Sequence, residues 1–322
     1  MRAIRIHQTG GPDVMKLEDV ELPPPGPGQA RVKHRAIGVN FIDVYFRSGL
    51  YPMQLPFTPG NEASGEITAL GEGVTGFKVG DRVAYVSTTG SYAEERNVDV
   101  KPLVSLPASV SHETAAGMML KGLTAQYLLR QTYRVQPGDT ILVHAAAGGV
   151  GQLLCQWGKH LGARVIGTVG SAAKGEIAKS CGADHVINYS TEDFAARVGE
   201  ITKGAKCAVV YDGVGKATFP ASLDCLRPFG VFASFGSASG PVEAFNLGLL
   251  GQKGSLFATR PTLFTFLADR ARLETMAKEL FEVVGAGVVK VGVSERAPLA
   301  DAARVHADLE ARRTTASIVL IP

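Results

Sequence analysis

The stretch that most constrains this chain is Ala145-Ala146-Ala147-Gly148-Gly149-Val150-Gly151. It lies between the apolar run Thr140-Ile141-Leu142-Val143-His144 and the segment Gln152-Leu153-Leu154-Cys155-Gln156-Trp157. Strand, glycine turn and helix in that order form the context of a nucleotide site. A pyrophosphate rests on a helix N-terminus only where the backbone approaches it without an intervening Cβ. Gly148 and Gly149 supply that approach, and Gly151, on the first helical turn, lets the helix pack closely on the neighbouring strand. Set against G-x-G-x-x-G, the first glycine is replaced by Ala146. Alone, such a turn also fits any tight strand-to-helix connection, so the residues C-terminal to it decide its reading.

Those residues alternate regularly between strand and helix patterns. Arg164 to Val169, His185 to Tyr189, Cys207 to Asp212 and Val231 to Gly236 read as strands; Lys174 to Ser180, Asp193 to Ile201 and Ala217 to Leu226 read as helices. This predicts an α/β fold with a doubly wound parallel sheet, whose ligands bind at the carboxyl ends of the strands. Those ends are Ala145, Val169, Tyr189, Asp212 and Phe235. The first third, with short alternating strands such as Gln29 to Val39 punctuated by glycine and proline, reads as a small, mostly β unit. Ser111-His112-Glu113-Thr114 opens a helix that runs to Tyr133 and connects the two parts. After Pro261 the pattern predicts a long amphipathic helix from Leu263 to Val284, a strand from Val289 to Val293, a helix from Leu299 to Arg312, and a closing strand from Ser317 to Ile321.

With 322 residues, 45% of them hydrophobic, the chain has room for two domains, each with its own core. No apolar run reaches the roughly 18 to 20 residues that a bilayer span requires. The N-terminus alternates like a strand and lacks the apolar core of a signal peptide, so a cytoplasmic protein is expected. The formal charge of +3 comes from interspersed charges that nowhere mass into a basic patch, so nucleic acid is not an expected partner. The four cysteines, Cys155, Cys181, Cys207 and Cys225, stand far apart with no C-x-x-C pair, which points to reduced thiols.

The choice of dinucleotide turns on a missing acid. Sites for NAD place a carboxylate about 20 residues past the glycine turn, on the ribose hydroxyls. Here that strand ends in Thr168-Val169-Gly170-Ser171. If Ser171 caps the next helix, Lys174 stands where a capping box would place Glu. A cation there opposes the helix dipole unless something anionic offsets it. The 2′-phosphate of NADPH would do so, while a solvated surface lysine is the plain alternative.

Five segments carry a resemblance that covers nearly the whole chain: Gly38-Val39-Asn40-Phe41-Ile42-Asp43-Val44-Tyr45, Pro59-Gly60-Asn61-Glu62-Ala63-Ser64-Gly65, Gly80-Asp81-Arg82-Val83, Lys121-Gly122-Leu123-Thr124-Ala125, and His144 through Gly151. The sequence resembles the zinc-free quinone oxidoreductases of the zeta-crystallin type, a branch of the medium-chain dehydrogenases/reductases. The resemblance implies a Rossmann domain, residues 125–262, inserted in a GroES-like, mostly β catalytic domain formed by residues 1–124 and a C-terminal return, 263–322. It also implies an active cleft at the junction and a homodimer. Zinc-dependent relatives have cysteine in the place of Asn40 and histidine in the place of Asn61. A neutral amide is a poor Zn²⁺ ligand, and Val86 to Tyr92 lacks the cysteines of a structural zinc lobe, so no metal is expected.

Without a Lewis acid to activate an alcohol, the chemistry implied is hydride delivery from NADPH to an acceptor that is already electron-poor, such as a quinone. By resemblance, Asn40, Tyr45 and Tyr51 surround the nicotinamide and acceptor, and Thr124 faces the nicotinamide side. Gly148, Gly149 and Val150 meet the pyrophosphate, and Gly170, Ser171, Lys174 and Tyr189 hold the adenosine and its 2′-phosphate. Ser234, Phe235, Gly236, Phe257 and Arg260 line the ribose and nicotinamide side. The family often has Gly-Lys before the last strand, where this chain has Ala316-Ser317; Arg312 or Arg313 is the candidate substitute. Two other readings stay open: reduction of α,β-unsaturated carbonyls, with Tyr51 a conceivable proton donor, and a nucleotide-binding structural or RNA-binding role of the crystallin kind.

Overall fold

In the computed structural model, which describes residues 1–322, the chain divides into two units. The first comprises Met1–Leu123, Leu267–Gly285 and Val291–Pro322; the second comprises Thr124–Phe266 and Ala286–Lys290.

The first unit opens with β1 (Arg2–Ile6) and β2 (Met15–Asp19), paired antiparallel. Then come β3 (Gln29–Gly38), α1 (Phe41–Ser48), β4 (Glu62–Leu70), β5 (Arg82–Val86), β6 (Glu95–Asp99), β7 (Leu103–Ser105) and the start of α2 (His112–Tyr127). β3 is the organising strand. Ala30, Val32, His34 and Ala36 alternate inward and are buried, while Arg31 between them is half-buried and Lys33 and Arg35 are exposed. Ile4, Ile6, Val32, Ile37, Ile67 and Tyr85 belong to the core behind it.

The second unit carries β8 (Thr140–Val143), α3 (Gly149–His160), β9 (Arg164–Val169), α4 (Ala172–Ser180), β10 (His185–Asn188), α5 (Phe194–Thr202), β11 (Cys207–Asp212), α6 (Ala221–Asp224), β12 (Leu226–Ser234), α7 (Gly248–Gln252), β13 (Phe257–Thr259) and most of α8 (Leu263–Leu267). The six strands are all parallel, in the order β10-β9-β8-β11-β12-β13. Every residue of β11 is buried, as expected of a central strand covered on both faces. Chain order reverses between β8 and β11, and the turn Ala145 to Gly151 leaves β8 at that switch point, where doubly wound sheets bind ligands.

The chain then returns to the first unit through α9 (Arg270–Gly285), β14 (Val293–Pro298), α10 (Ala302–Glu310) and β15 (Ser317–Ile321). β15 joins the sheet beside β3, and β14 pairs parallel with β15. No helix is long and apolar enough to cross a membrane.

Four elements differ from their sequence expectations, each for a local reason. The helix expected from Ala217 to Leu226 shrinks to α6, since Pro220 has no N–H to give a preceding turn and Leu226 enters β12. The long helix from Leu263 breaks into α8 and α9, where Asp269 Oδ1 accepts the Arg272 N–H at 2.7 Å and starts a new helix. The strand expected at Val289 to Val293 begins only at Val293. Lys290 belongs to the second unit, where the Gln156 amide bonds its N–H at 2.8 Å and its carbonyl at 3.1 Å. The connecting helix is regular to Tyr127 and then widens into a π turn, Leu128–Thr132.

Candidate active site

The second unit presents an anion cradle. Ala145 takes a left-handed conformation at φ 51°, and Gly148 becomes the N-cap of α3 without any side-chain cap or first-turn acid. The amides opening the helix therefore have no acceptor within it or from a side chain. A Cβ on Gly151 would lie 2.3 Å from the Ala145 carbonyl oxygen and 2.8 Å from Ala146 Cα. The surface that Gly151 fits is thus the backbone of the turn itself, rather than the neighbouring strand. One on Gly148 would lie 3.1 Å from the Ala145 oxygen.

At the ends of β9 and β10 the four residues expected at the adenosine, Gly170, Ser171, Lys174 and Tyr189, lie close in the fold. Ser171 caps α4 by accepting the Lys174 N–H at 3.4 Å, and no acid stands in the first turn of that helix. A Cβ on Gly170 would lie 2.6 Å from the Tyr189 hydroxyl, and Ser190 Oγ donates to the Gly170 carbonyl at 3.1 Å. Tyr189 keeps much of its ring exposed. On the other side of the switch point, the Phe235 N–H donates to the Asp212 carbonyl at 2.8 Å, and a Cβ on Gly236 would lie 2.5 Å from the Gly213 oxygen. The register Ala233 to Thr259 brings Arg260 to the carboxyl end beside Ser234. It does not bring Phe257 there: Phe257 pairs with Val231 and is 61% exposed on the edge strand. Thr124, the first residue of the second unit, is buried on α2. An uncapped helix N-terminus, glycines with no room for Cβ and a lysine in an acid-free first turn together fit a dinucleotide bearing a 2′-phosphate.

Beneath this cradle lies a buried polar network that sequence reasoning missed. Asp212 Oδ1 accepts the N–H groups of Val214 (2.7 Å) and Gly215 (3.0 Å), while Oδ2 accepts the hydroxyls of Thr218 (2.6 Å) and Ser222 (3.2 Å). His144 links Ser222 (3.0 Å) to Thr168 (2.9 Å), and burial lowers its pKa. The Asp212-Gly213 turn was the available signal, a carboxylate at the end of an otherwise apolar strand.

In the first unit, α1 gathers the expected acceptor residues. Asn40 caps the helix, its N–H donating to Asp43 Oδ2 at 2.8 Å. Tyr45 and Tyr51 meet edge to face, with centroids 5.2 Å apart, and the Tyr51 N–H donates to the Tyr45 carbonyl at 3.0 Å. The Asn40 amide nitrogen donates to Glu62 Oε1 at 2.6 Å. Glu62 is fully buried, and it also accepts Lys121 Nζ (3.3 Å) and the Leu120 N–H (2.6 Å). Both charges lie inside motifs already singled out, but nothing in the sequence pairs them.

Behind α1, Asp43 is buried, and desolvation raises its pKa from 3.8 to about 7. Tyr92 donates to Asp43 Oδ2 at 3.0 Å and also meets His306 Nε2 at 3.0 Å; burial takes His306 down to about 3. Asn61 turns its amide to the Ser87 carbonyl at 3.1 Å, and no group of three or more His, Cys, Asp or Glu side chains is placed to hold a metal ion. Arg313 is held by Asp308, with Nε to Oδ1 at 2.9 Å, and Arg312 takes a left-handed conformation at the end of α10. Ser317 Oγ donates to the Gly117 carbonyl at 2.6 Å. A surface cleft of about 490 Å³ between β7 and α9 contains none of these residues.

Residues 26–137 match the family model of the alcohol dehydrogenase GroES-like domain, and residues 149–291 match that of zinc-binding dehydrogenases. A quinone oxidoreductase of Pseudomonas aeruginosa is 52% identical across 100% of this chain and 99% of its own length. The chain belongs to the zinc-independent quinone oxidoreductases. Within that family, the crystal structure of Escherichia coli quinone oxidoreductase complexed with NADPH superposes with a TM-score of 0.98, at 47% identity and full coverage of both chains. A 2-haloacrylate reductase from a Burkholderia species is 46% identical over 98% of each chain. The zinc in one matched description has no counterpart in the donor set here, where amides stand at Asn40 and Asn61.

Proposed function

We propose that this protein is an NADPH:quinone oxidoreductase that works without a metal. The observation that carries the reading is the acid-free, Ser171-capped start of α4 with Lys174 in its first turn, in a chain alike over its full length to quinone oxidoreductases. Gly148, Gly149 and Val150 bind the pyrophosphate through their backbone; Gly170, Ser171, Lys174 and Tyr189 bind the adenosine and its 2′-phosphate. Ser234, Phe235, Gly236 and Arg260 line the nicotinamide ribose, with Phe257 at the rim and Thr124 toward the nicotinamide. When bound, NADPH supplies a hydride from the nicotinamide C4 to an electron-poor acceptor. Asn40, Tyr45 and Tyr51 orient the acceptor and keep it dry, so the protein's share of catalysis is proximity and orientation. The tyrosine hydroxyls serve as donors to the acceptor oxygen that gains charge.

The likeness to a 2-haloacrylate reductase supports a second reading, reduction of activated α,β-unsaturated carbonyls, with Tyr51 as the proton donor. Assays of NADPH oxidation with 1,4-benzoquinone and with 2-alkenals separate the two: turnover with the quinone supports the first reading, and turnover with alkenals alone supports the second. We also infer a homodimer in the cytoplasm. β13 is an open sheet edge carrying exposed Phe257, with exposed Phe229 and Leu247 elsewhere in the second unit, and an unpaired edge invites a second copy. All four cysteines are free thiols, in keeping with a reducing compartment. The interspersed charge of +3 favours neither nucleic acid nor a membrane surface as partner.

A further inference from the structure

We propose that Glu62 and Lys121 are positioning residues that fix the orientation of the Asn40 side chain, a role that rests on the reading of Asn40 as part of the acceptor site. An asparagine amide offers a donor on one side and an acceptor on the other, and rotation by half a turn exchanges them. Glu62 removes that freedom. Its Oε1 accepts from the amide nitrogen at 2.6 Å, so the Asn40 oxygen is turned away from it.

The carboxylate is itself held in place from two elements. From α2, the Leu120 N–H binds its second oxygen at 2.6 Å, and Lys121 Nζ approaches its first at 3.3 Å while donating to the Val39 carbonyl at 3.1 Å. From β3, the backbone of Gly38 closes over it: a Cβ there would lie 2.4 Å from Glu62 Oε1 and 2.0 Å from the Ala116 carbonyl oxygen. Only glycine lets the strand end so close to the carboxylate, two residues before Asn40. Glu62 sits on β4, fully buried, with Lys121 only 7% exposed. A buried ion pair contributes little to stability beyond what apolar side chains would give, because desolvation offsets the attraction. Its value here lies in direction: Lys121 Nζ and the Leu120 N–H hold the carboxylate, and the held carboxylate makes the amide choose one orientation. The Asn40 oxygen then lies on the side of the amide away from Glu62, oriented to accept from a donor such as the hydroxyl of a reduced acceptor.

Two measurements test this. In the protein without cofactor, the side-chain NH₂ signal of Asn40, assigned by its loss in Asn40→Ala, has one proton far downfield from its bond to the carboxylate. Glu62→Gln moves that proton upfield, and an unmoved signal overturns the proposal. The second is a double-mutant cycle on NADPH affinity and on kcat/KM with 1,4-benzoquinone. Glu62→Gln and Lys121→Met each lower kcat/KM by about tenfold alone and by less than about twofold in the Asn40→Ala background, because both act through Asn40. Equal losses in the two backgrounds mean that the pair acts independently of Asn40, and the proposal fails. Lys121→Met keeps the cycle measurable should Glu62→Gln fold poorly. If the unmodified protein turns over no acceptor, the functional reading fails instead, and the Asn40 signal still decides the positioning.

Discussion

A Cβ on Gly170 would stand 2.6 Å from the hydroxyl of Tyr189, so the end of β9 and the ring just past β10 share one surface with no room between them. Gly170→Ala must push the ring aside. In our reading that ring flanks the adenosine, so the variant should weaken NADPH by about tenfold, or about 1.4 kcal/mol. Titration of nucleotide fluorescence measures this, and an unchanged dissociation constant would separate Tyr189 from the cofactor.

Lys174→Ala tests the 2′-phosphate. A charge-assisted hydrogen bond contributes about 1.5–3 kcal/mol, so NADPH affinity should fall by about 10- to 100-fold. NADH, which lacks the phosphate, should change by less than about twofold on the same argument. Equal losses for the two nucleotides would make Lys174 a general surface cation.

Asp212→Asn addresses the buried network at the carboxyl ends of β8, β9 and β11. All four partners of the Asp212 oxygens are donors: the N–H groups of Val214 and Gly215 and the hydroxyls of Thr218 and Ser222. An amide would set its own N–H₂ against two of them, inside a buried site. The cost should be about 3 kcal/mol of unfolding free energy, read from denaturant or thermal unfolding. An unchanged midpoint would mean that the hydroxyls simply reverse.

Asp43 gives a pH dependence with a definite sign. Desolvation holds its folded pKa at about 7 against 3.8 when exposed, so the folded state binds the proton more tightly. Stability from this group is therefore complete below about pH 4 and is lost as pH rises to about 7, at up to about 1.4 kcal/mol per pH unit. Glu62 and Lys121 act on it with opposite signs, Tyr92 bonds it, and His306 beyond Tyr92 stays neutral through this range. Asp43→Asn mimics the protonated form. Wild type should lose stability relative to this variant between pH 4 and 7, whereas a constant difference would show that Asp43 does not titrate there.

Phe257→Lys places a charge on the open edge of β13. If that edge joins two copies, light scattering should show the dimer turning into monomer. A variant that stays dimeric would move the interface elsewhere.

The two parts of the chain differ in how far the sequence disclosed them. The parallel sheet was legible because apolar runs such as Cys207 to Asp212 are bounded by glycines, and the same pattern located the turn at Gly148 and the cap at Ser171. Helix ends were less legible, since Asp269 and Pro220 act through single backbone positions that periodicity does not register. Pairings distant in sequence were not legible at all. Glu62 and Lys121 lie 59 residues apart and His144 and Ser222 lie 78 apart, and only the fold brings each pair into contact. Phe257, assigned to the cofactor by resemblance, stands on the edge strand in register with Val231.

Metal-free hydride transfer from NADPH to a quinone is tested most directly by the rate of NADPH oxidation by the purified protein with 1,4-benzoquinone, set against NADH and against a 2-alkenal. The expected result is turnover with the quinone, a kcat/KM higher for NADPH than for NADH, and a preference that disappears in Lys174→Ala. NADPH that binds but is not oxidised by any quinone would contradict it.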